Sequence, residues 1–248
     1  MSIKTGLKKN FSTIPGIKQI ITIIKQHEKI ISLQKEQLNA IIFFNSISNC
    51  DWVVDKNFYP RGWAVDFSFL YTLFRILNEI KPQKVLEFGL GQSSKLIHQY
   101  GNSHNDRCVI TCEHDKKWVD FFKKTFLEKI DIKLLELEKI RYKNFETLSY
   151  KNVKKEFENQ KFDLILIDAP FGSGHFSRSQ ILELIPDILE QSFCIILDDY
   201  NRIGEQETAQ EMQKILSESN IKYYYGVYQG DKKHFLICSE DLKFLCSM

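Results

Sequence analysis

The chain lacks any apolar run near the ~20 residues that span a bilayer, and its N-terminus lacks a signal-peptide pattern. A soluble, cytoplasmic protein is therefore expected. It also lacks an excess of one charge: 34 Lys and Arg against 32 Asp and Glu leave +2, which gives no reason to expect nucleic acid as a partner. Its six cysteines (Cys50, Cys108, Cys112, Cys194, Cys238, Cys246) include no C-x-x-C pair and no Cys/His finger spacing. Cys112, Cys194 and Cys238 sit in apolar, strand-like runs, where cysteine serves as a small hydrophobe and a reducing cytosol suits it. What the chain does have is 43% hydrophobic residues over 248 positions, enough for a globular domain with a large core.

The stretch Val85-Leu-Glu-Phe-Gly-Leu-Gly-Gln-Ser-Ser94 organises the rest. Val85 to Phe88 reads as a buried strand, Gly89 and Gly91 as a tight turn, and Gln92 onward as a helix. Glycines let backbone approach a ligand with no Cβ in the way. The Ser93 and Ser94 hydroxyls and the first-turn N–H groups of the helix can hold polar or anionic groups. A dinucleotide fingerprint would want a third glycine where Ser94 stands. The turn with no ligand is the bland alternative.

Before this motif, Ile17 to Phe44 has a helical rhythm in which Ile17, Ile24, Ile31 and Leu38 are seven apart, with His27 and Gln34 on the seam. The expectation is a helix packed on its own domain or on a second subunit as a homodimer. The first 48 residues hold seven Lys against two Glu, so peripheral contact with the inner face of a membrane is the alternative reading. Residues 49–66 read as an irregular lid carrying Trp63 and Asp66. The division expected is 1–66, a helical extension, and 67–248, the main domain.

Further on, Phe67–Ile80 reads as a helix, Cys108–Cys112 as a second strand and Lys116–Glu128 as a helix. Ile132–Leu137 follows as a third strand, then a polar stretch, mostly helix or loop, to Lys161. Phe162–Pro170 is a fourth strand, Ser179–Glu190 a helix, Phe193–Leu197 a fifth strand and Glu205–Ser217 a helix. Ile221–Tyr228 and His234–Cys238 close the chain as an antiparallel hairpin. Strands alternating with helices imply an α/β, Rossmann-like sheet, mostly parallel, with helices on both faces. Ligands bind such sheets outside the carboxyl ends of the strands. Glu87, Glu113, Asp168, Asp198 and Asp199 fall at or near those ends. Glu113, 22 residues beyond Gly91, stands where a ribose diol is held. The Asp168–Asp198–Asp199 set calls for compensation by a hard divalent cation or by Arg178 or Arg202.

An acidic residue followed by G-x-G and hydroxyl residues, with the closing hairpin, resembles the class I S-adenosylmethionine-dependent methyltransferases. The resemblance implies S-adenosylmethionine as cofactor, held by Glu87, Gly89, Gly91, Gln92, Ser93, Ser94, Glu113, His114 and Asp168. Asp168 and the Asp198-Asp199 pair are similar to the magnesium ligands of catechol O-methyltransferase, implying Mg2+ or another divalent metal. The lysine of that family is absent, with Pro170 and Phe171 in its place. Asp168-Ala-Pro-Phe-Gly172, Arg178 and Asp199-Tyr-Asn-Arg-Ile-Gly-Glu205 resemble the glucuronoxylan O-methyltransferases and methyltransferases of bacterial surface-glycan clusters. That similarity spans about Trp63 to Ser217 and implies O-methylation of a sugar hydroxyl in a glycan. Asp168, Asp199 and His175 are then the catalytic candidates, and Arg178, Arg202 and Trp63 the acceptor-binding ones. The alternatives are a magnesium-dependent enzyme of small phenols, an NAD-dependent oxidoreductase and a non-catalytic binding module.

Overall fold

Each apolar run bounded by Gly, Pro or charged residues becomes a strand of one sheet. The structure is a computed structural model that describes residues 15–60, 62–126 and 131–247. In chain order its elements are α1 (Pro15–Ile47), α2 (Phe67–Glu79), β1 (Lys84–Phe88), α3 (Gln92–Asn102), β2 (Cys108–Glu113), α4 (Lys116–Thr125) and β3 (Ile132–Leu134). There follow β4 (Leu137–Tyr142), β5 (Phe145–Tyr150), α5 (Val153–Glu156), β6 (Phe162–Ile167), α6 (Gln180–Leu184), β7 (Leu189–Leu197) and α7 (Ile203–Glu218). The chain closes with β8 (Tyr223–Gln229), β9 (Lys233–Ser239) and a 3-10 helix, Glu240–Ser247.

Seven strands form the main sheet in the order β3-β2-β1-β6-β7-β9-β8. β1 pairs in parallel with β2 and β6, and β6 with β7, whereas β9 runs antiparallel to both β7 and β8. Strand order reverses between β1 and β6, so a crevice opens above their carboxyl ends. The sheet is buried on both faces because each strand sends alternate side chains to opposite sides. Leu86, Phe88, Ile165 and Ile195 pack on one face and Val85, Leu164, Leu166 and Ile196 on the other. The latter face is covered by Phe69, Leu73 and Leu77 of α2 with Leu96 and Ile97 of α3. This is the Rossmann-like arrangement expected, with the closing hairpin in place.

Four features differ from the sequence expectation. The polar stretch before Lys161 contains an antiparallel hairpin, β4 with β5, joined through Lys143 and Asn144, both at positive φ. Such a two-residue turn needs two left-handed residues, and Lys-Asn is a weaker signal for it than Asn-Gly. The helix expected over 179–190 stops at Leu184, since Ile185 is extended (ψ 146°) as a residue before proline tends to be. The helix expected over 116–128 ends at Thr125, and the strand expected over 132–137 splits into β3 and the start of β4. The end of the former, residues 127 and 128, lies outside the described residues.

α1 extends about 50 Å at 1.5 Å per residue over its 33 residues. Its end packs on the domain through Phe43 and Ile47, both fully buried, while Ile20, Ile23, Ile24, Ile30 and Leu38 stay exposed. No described helix is long and apolar enough to cross a membrane.

Candidate active site

The turn after β1 is held from beneath. Gly89 takes φ +109°, and a Cβ there would meet Ala169 Cβ at 3.0 Å, so only glycine fits between β1 and the chain leaving β6. Gly91 differs: its φ of −168° is ordinary extended backbone, yet a Cβ there would meet nothing within 4 Å. That open space belongs to a cavity of about 900 Å³ over the carboxyl ends of β1, β2, β6 and β7.

Glu87 is fully buried below the turn. Its carboxylate accepts hydrogen bonds from Ser93 Oγ (2.6 Å), Ser94 Oγ (2.5 Å) and Thr111 Oγ1 (2.8 Å), and His98 Nε2 lies 2.9 Å from Thr111 Oγ1. Ser94 Oγ also accepts from Gly91 N–H at 2.8 Å. Of the expected cofactor-binding residues, Glu87, Ser93 and Ser94 are joined here through their side chains. Their polar atoms are spent on one another and brace the turn, while Gly89, Gly91 and Gln92 form the cavity wall.

Burial pushes the Glu87 carboxyl up to about 7, against its three hydroxyl donors. Because the folded value exceeds the unfolded one, this group's stabilising contribution is complete below about 4.5 and is lost as pH rises through about 7. Thermal melts should therefore show the wild-type melting temperature falling relative to that of Glu87→Gln between pH 5 and 8. Parallel profiles would contradict the assignment.

Glu113 ends β2 at the cavity. It accepts from Leu90 N–H (3.1 Å), His114 N–H (2.7 Å) and Asp115 N–H (2.9 Å), with His114 Nδ1 at 2.8 Å. Three backbone donors fix an anionic acceptor at the cavity wall. Beside it Leu90, Trp118, Phe122 and Phe126 make an apolar wall, and Trp118 Nε1 donates to Leu90 O at 2.7 Å. Trp118 and Phe122 went unnoticed in the sequence because a helical Trp-x-x-x-Phe spacing reads as ordinary packing.

The second half of the cavity is ionic. Arg178, with 3% of its side chain exposed, bridges Asp168 Oδ1 (3.0 Å) and Asp199 Oδ2 (2.7 Å) through Nη2. Its Nη1 donates to Ile167 O (3.2 Å) and Asp198 O (2.9 Å). Arg202 Nη1 lies 3.0 Å from Asp199 Oδ2 and 3.6 Å from Glu205 Oε1. Lys232 Nζ stands 3.6 Å from both Asp198 Oδ2 and Asp199 Oδ1, and donates to Ala64 O (2.9 Å) and Trp63 O (3.3 Å). Arg178 and Asp199 both adopt left-handed backbone, φ 60° and 57°, a conformation non-glycine residues keep only where neighbours impose it.

The cluster thus sets four carboxylates (Asp168, Asp198, Asp199, Glu205) against three cations. Burial, with Asp198 nearby, holds the Asp168 carboxyl well above its ordinary range against the pull of Arg178 and Lys232. Burial likewise pushes Asp198 up to about 6, opposed chiefly by Lys232.

The structure brings Asp168, Asp198 and Asp199 together, with ligand atoms within 4.8 Å, as the metal expectation requires. It also seats Arg178 between two of them, where the guanidinium bridges Asp168 and Asp199 and lines the cavity. Asp168 Oδ1, Asp198 Oδ2 and both Asp199 oxygens face the cations of the cluster, while the buried Asp198 Oδ1 has no hydrogen-bond partner among the described residues. His175 is not brought to the cavity. Its Nδ1 lies 2.9 Å from Glu207 Oε1 and its ring stacks on Phe145 at 3.9 Å, which corrects the reading of it as a catalytic base. Asp66 caps α2 through Phe69 N–H and accepts from Lys232 N–H, a structural task. Trp63, 83% exposed, does line the cavity, edge-on to Phe171 at 5.9 Å; Phe171 in turn meets His114 edge-on at 5.1 Å. Glu205, the end of the Asp199–Glu205 motif, and Lys232, from a segment with no local motif, complete the cluster.

These features define a class I methyltransferase fold with a cavity at its switch point. No known sequence family matches the chain, and no curated protein matches it in sequence. Solved structures share the fold. A Klebsiella pneumoniae protein provisionally described as an O-methyltransferase aligns at TM-score 0.54 and 13% identity, over 84% of this chain and 99% of the other. A Podospora anserina methyltransferase with S-adenosylhomocysteine bound aligns at 0.53 and 13%, over 87% and 96%. A Staphylococcus aureus protein provisionally described as a caffeoyl-CoA O-methyltransferase aligns at 0.50 and 15%, over 84% and 99%.

Proposed function

We propose that the protein is an S-adenosylmethionine-dependent O-methyltransferase whose acceptor is a sugar hydroxyl in a glycan. The observation that carries this reading is the division of one cavity into two chemistries. An apolar wall beside the anchored Glu113 suits an adenosine, whose ring stacks while its diol donates to the carboxylate. The open space at Gly91 leads to the acidic end, whose single surplus negative charge matches a sulfonium. The acceptor reading is supported by Trp63 and Phe171, exposed rings that can cover the face of a sugar, and by Arg202, 48% exposed on the same wall. The sequence resemblance to glycan methyltransferases supports it too.

Bound S-adenosylmethionine supplies an electrophilic methyl whose C–S bond breaks as the C–O bond forms, leaving a neutral thioether. The chain supplies alignment and a place for the hydroxyl proton. Asp168 is suited to receive that proton, since its side chain keeps 19% of its surface exposed at the cavity wall and its carboxyl binds protons more tightly than an ordinary one. Arg178 and Lys232 hold the neighbouring carboxylates in place. The test is incubation with methyl-labelled S-adenosylmethionine and separate oligosaccharide and catechol acceptors. Label on an oligosaccharide is the expected result; label on catechols alone would reassign the substrate, and none on either would contradict the reading.

The same charge argument predicts a pH dependence of binding. A cation entering beside Asp168 and Asp198 favours their ionised forms, so binding releases a proton. S-adenosylmethionine affinity should rise from pH 5 through the Asp198 value of about 6, by at most about tenfold per pH unit for each proton released. S-adenosylhomocysteine, neutral at sulfur, should respond less. Calorimetry in buffers of different ionisation enthalpy reads the proton directly, and equal slopes for the two ligands would contradict the sulfonium placement.

A further inference from the structure

We infer that Arg178 and Lys232 fill, from within the chain, the place a divalent cation would take among Asp168, Asp198 and Asp199, so that methyl transfer here needs no metal. The statement about transfer rests on the proposed function; the statement about occupancy does not. Three carboxylates with ligand atoms within 4.8 Å are a donor set that a hard cation takes at 2.0–2.6 Å per oxygen, and positive charges fixed among them oppose its entry. Here two such charges are fixed, and a third is close.

Arg178 Nη2 lies between Asp168 Oδ1 and Asp199 Oδ2 at 3.0 and 2.7 Å. It cannot swing aside without breaking the Nη1 bonds to Ile167 O and Asp198 O, and the residue is buried. A guanidinium does not titrate away in this setting. Asp199 Oδ2 also meets Arg202 Nη1 at 3.0 Å, and Asp199 Oδ1 faces Lys232 Nζ at 3.6 Å. Lys232 is anchored in turn by the carbonyls of Trp63 and Ala64, so its ammonium cannot retreat freely. An ion bound to all three carboxylates would stand within a few ångströms of these cations, with its Coulomb attraction offset by like-charge repulsion. The arrangement has a second consequence. Lys232 ties the Trp63–Ala64 wall of the cavity to the acidic end, so the built-in cation also fixes the acceptor side, which a free ion would not do. Lys232 is in this sense a positioning residue.

The test is titration of the full-length protein with Mn2+, followed by the electron paramagnetic resonance signal of the free ion, with no cofactor or acceptor present. Wild type should show no stoichiometric uptake, whereas Arg178→Ala should bind Mn2+ at least about a hundredfold more tightly, as removal of one adjacent unit charge implies. Stoichiometric uptake by wild type that Asp198→Asn abolishes would overturn the inference. So would a folded Arg178→Ala protein, verified by circular dichroism, that takes up none. Should that variant not fold, Lys232→Ala serves in the same titration, with the same gain expected and the same reading of its absence. For the transfer step, turnover should be unchanged after chelator treatment, and a loss restored by added Mg2+ or Mn2+ would overturn that part. A protein that binds no S-adenosylmethionine would defeat the proposed function while leaving the Mn2+ result to stand by itself.

Discussion

Arg178→Met is expected to cost about 3–5 kcal/mol, the usual cost of removing one partner from a buried ion pair. In a domain of this size that lowers the melting temperature by roughly 10 °C. The expectation follows from what the guanidinium holds. It contacts the side chains of Asp168 and Asp199 and the carbonyls of Ile167 and Asp198, and lies 3.9 Å from Glu205 Oε1. Methionine fills similar volume but leaves buried carboxylates facing one another. Burial alone would depress the Arg178 value, yet the four surrounding carboxylates outweigh it and raise it, so the charged form is the one the fold selects. Arg178→Lys keeps the charge and loses the fork, because an ammonium cannot bridge two carboxylates while also reaching two carbonyls. It should melt between wild type and Arg178→Met. Differential scanning fluorimetry at pH 7.5 measures both. A methionine variant as stable as wild type would show that the cluster is held by something other than this bridge.

The second large effect is catalytic. Asp168→Asn should lower the rate of methyl transfer by about 10²–10⁴-fold, the range of general-base contributions. Affinity for S-adenosylhomocysteine should change little. Asparagine keeps the shape and an acceptor oxygen for Arg178 Nη2, so the bridge survives in part, but it cannot take the hydroxyl proton. Single-turnover measurement separates the chemical step from binding. A wild-type rate would remove Asp168 from proton transfer and leave alignment alone to carry the reaction. A loss confined to acceptor KM would make Asp168 an acceptor-orienting group instead.

The strands were legible because their apolar runs are bounded by sharp punctuation: Lys81-Pro82 before β1, Gly89 after it, and Asp198-Asp199 after β7. Placing Glu113 at the cavity was also legible, since its distance from the glycines is set by one helix and one strand. The roles inside the first motif were not. Whether Ser93 and Ser94 face a ligand or Glu87 depends on side-chain directions that spacing does not encode. Arg178 was visible as one of two ways to neutralise the aspartates, and only the fold places its guanidinium between them. Lys232 lies 33 positions beyond Asp199 on the β8–β9 turn, and its approach to the cluster exists only because β9 pairs with β7. His175 looked available on a Gly-flanked loop, but Glu207 from α7 and Phe145 from the β4–β5 hairpin hold it elsewhere. That hairpin was itself hidden by its polar composition.

The central claim, that the cavity over Gly91 and Glu113 receives S-adenosylmethionine, is tested most directly by calorimetric titration of the chelator-treated protein at pH 7.5. Saturable one-site binding is predicted, abolished or strongly weakened in Glu113→Ala, with no comparable heat from NAD. Absence of saturable binding, or equal binding by the Glu113→Ala variant, would contradict it.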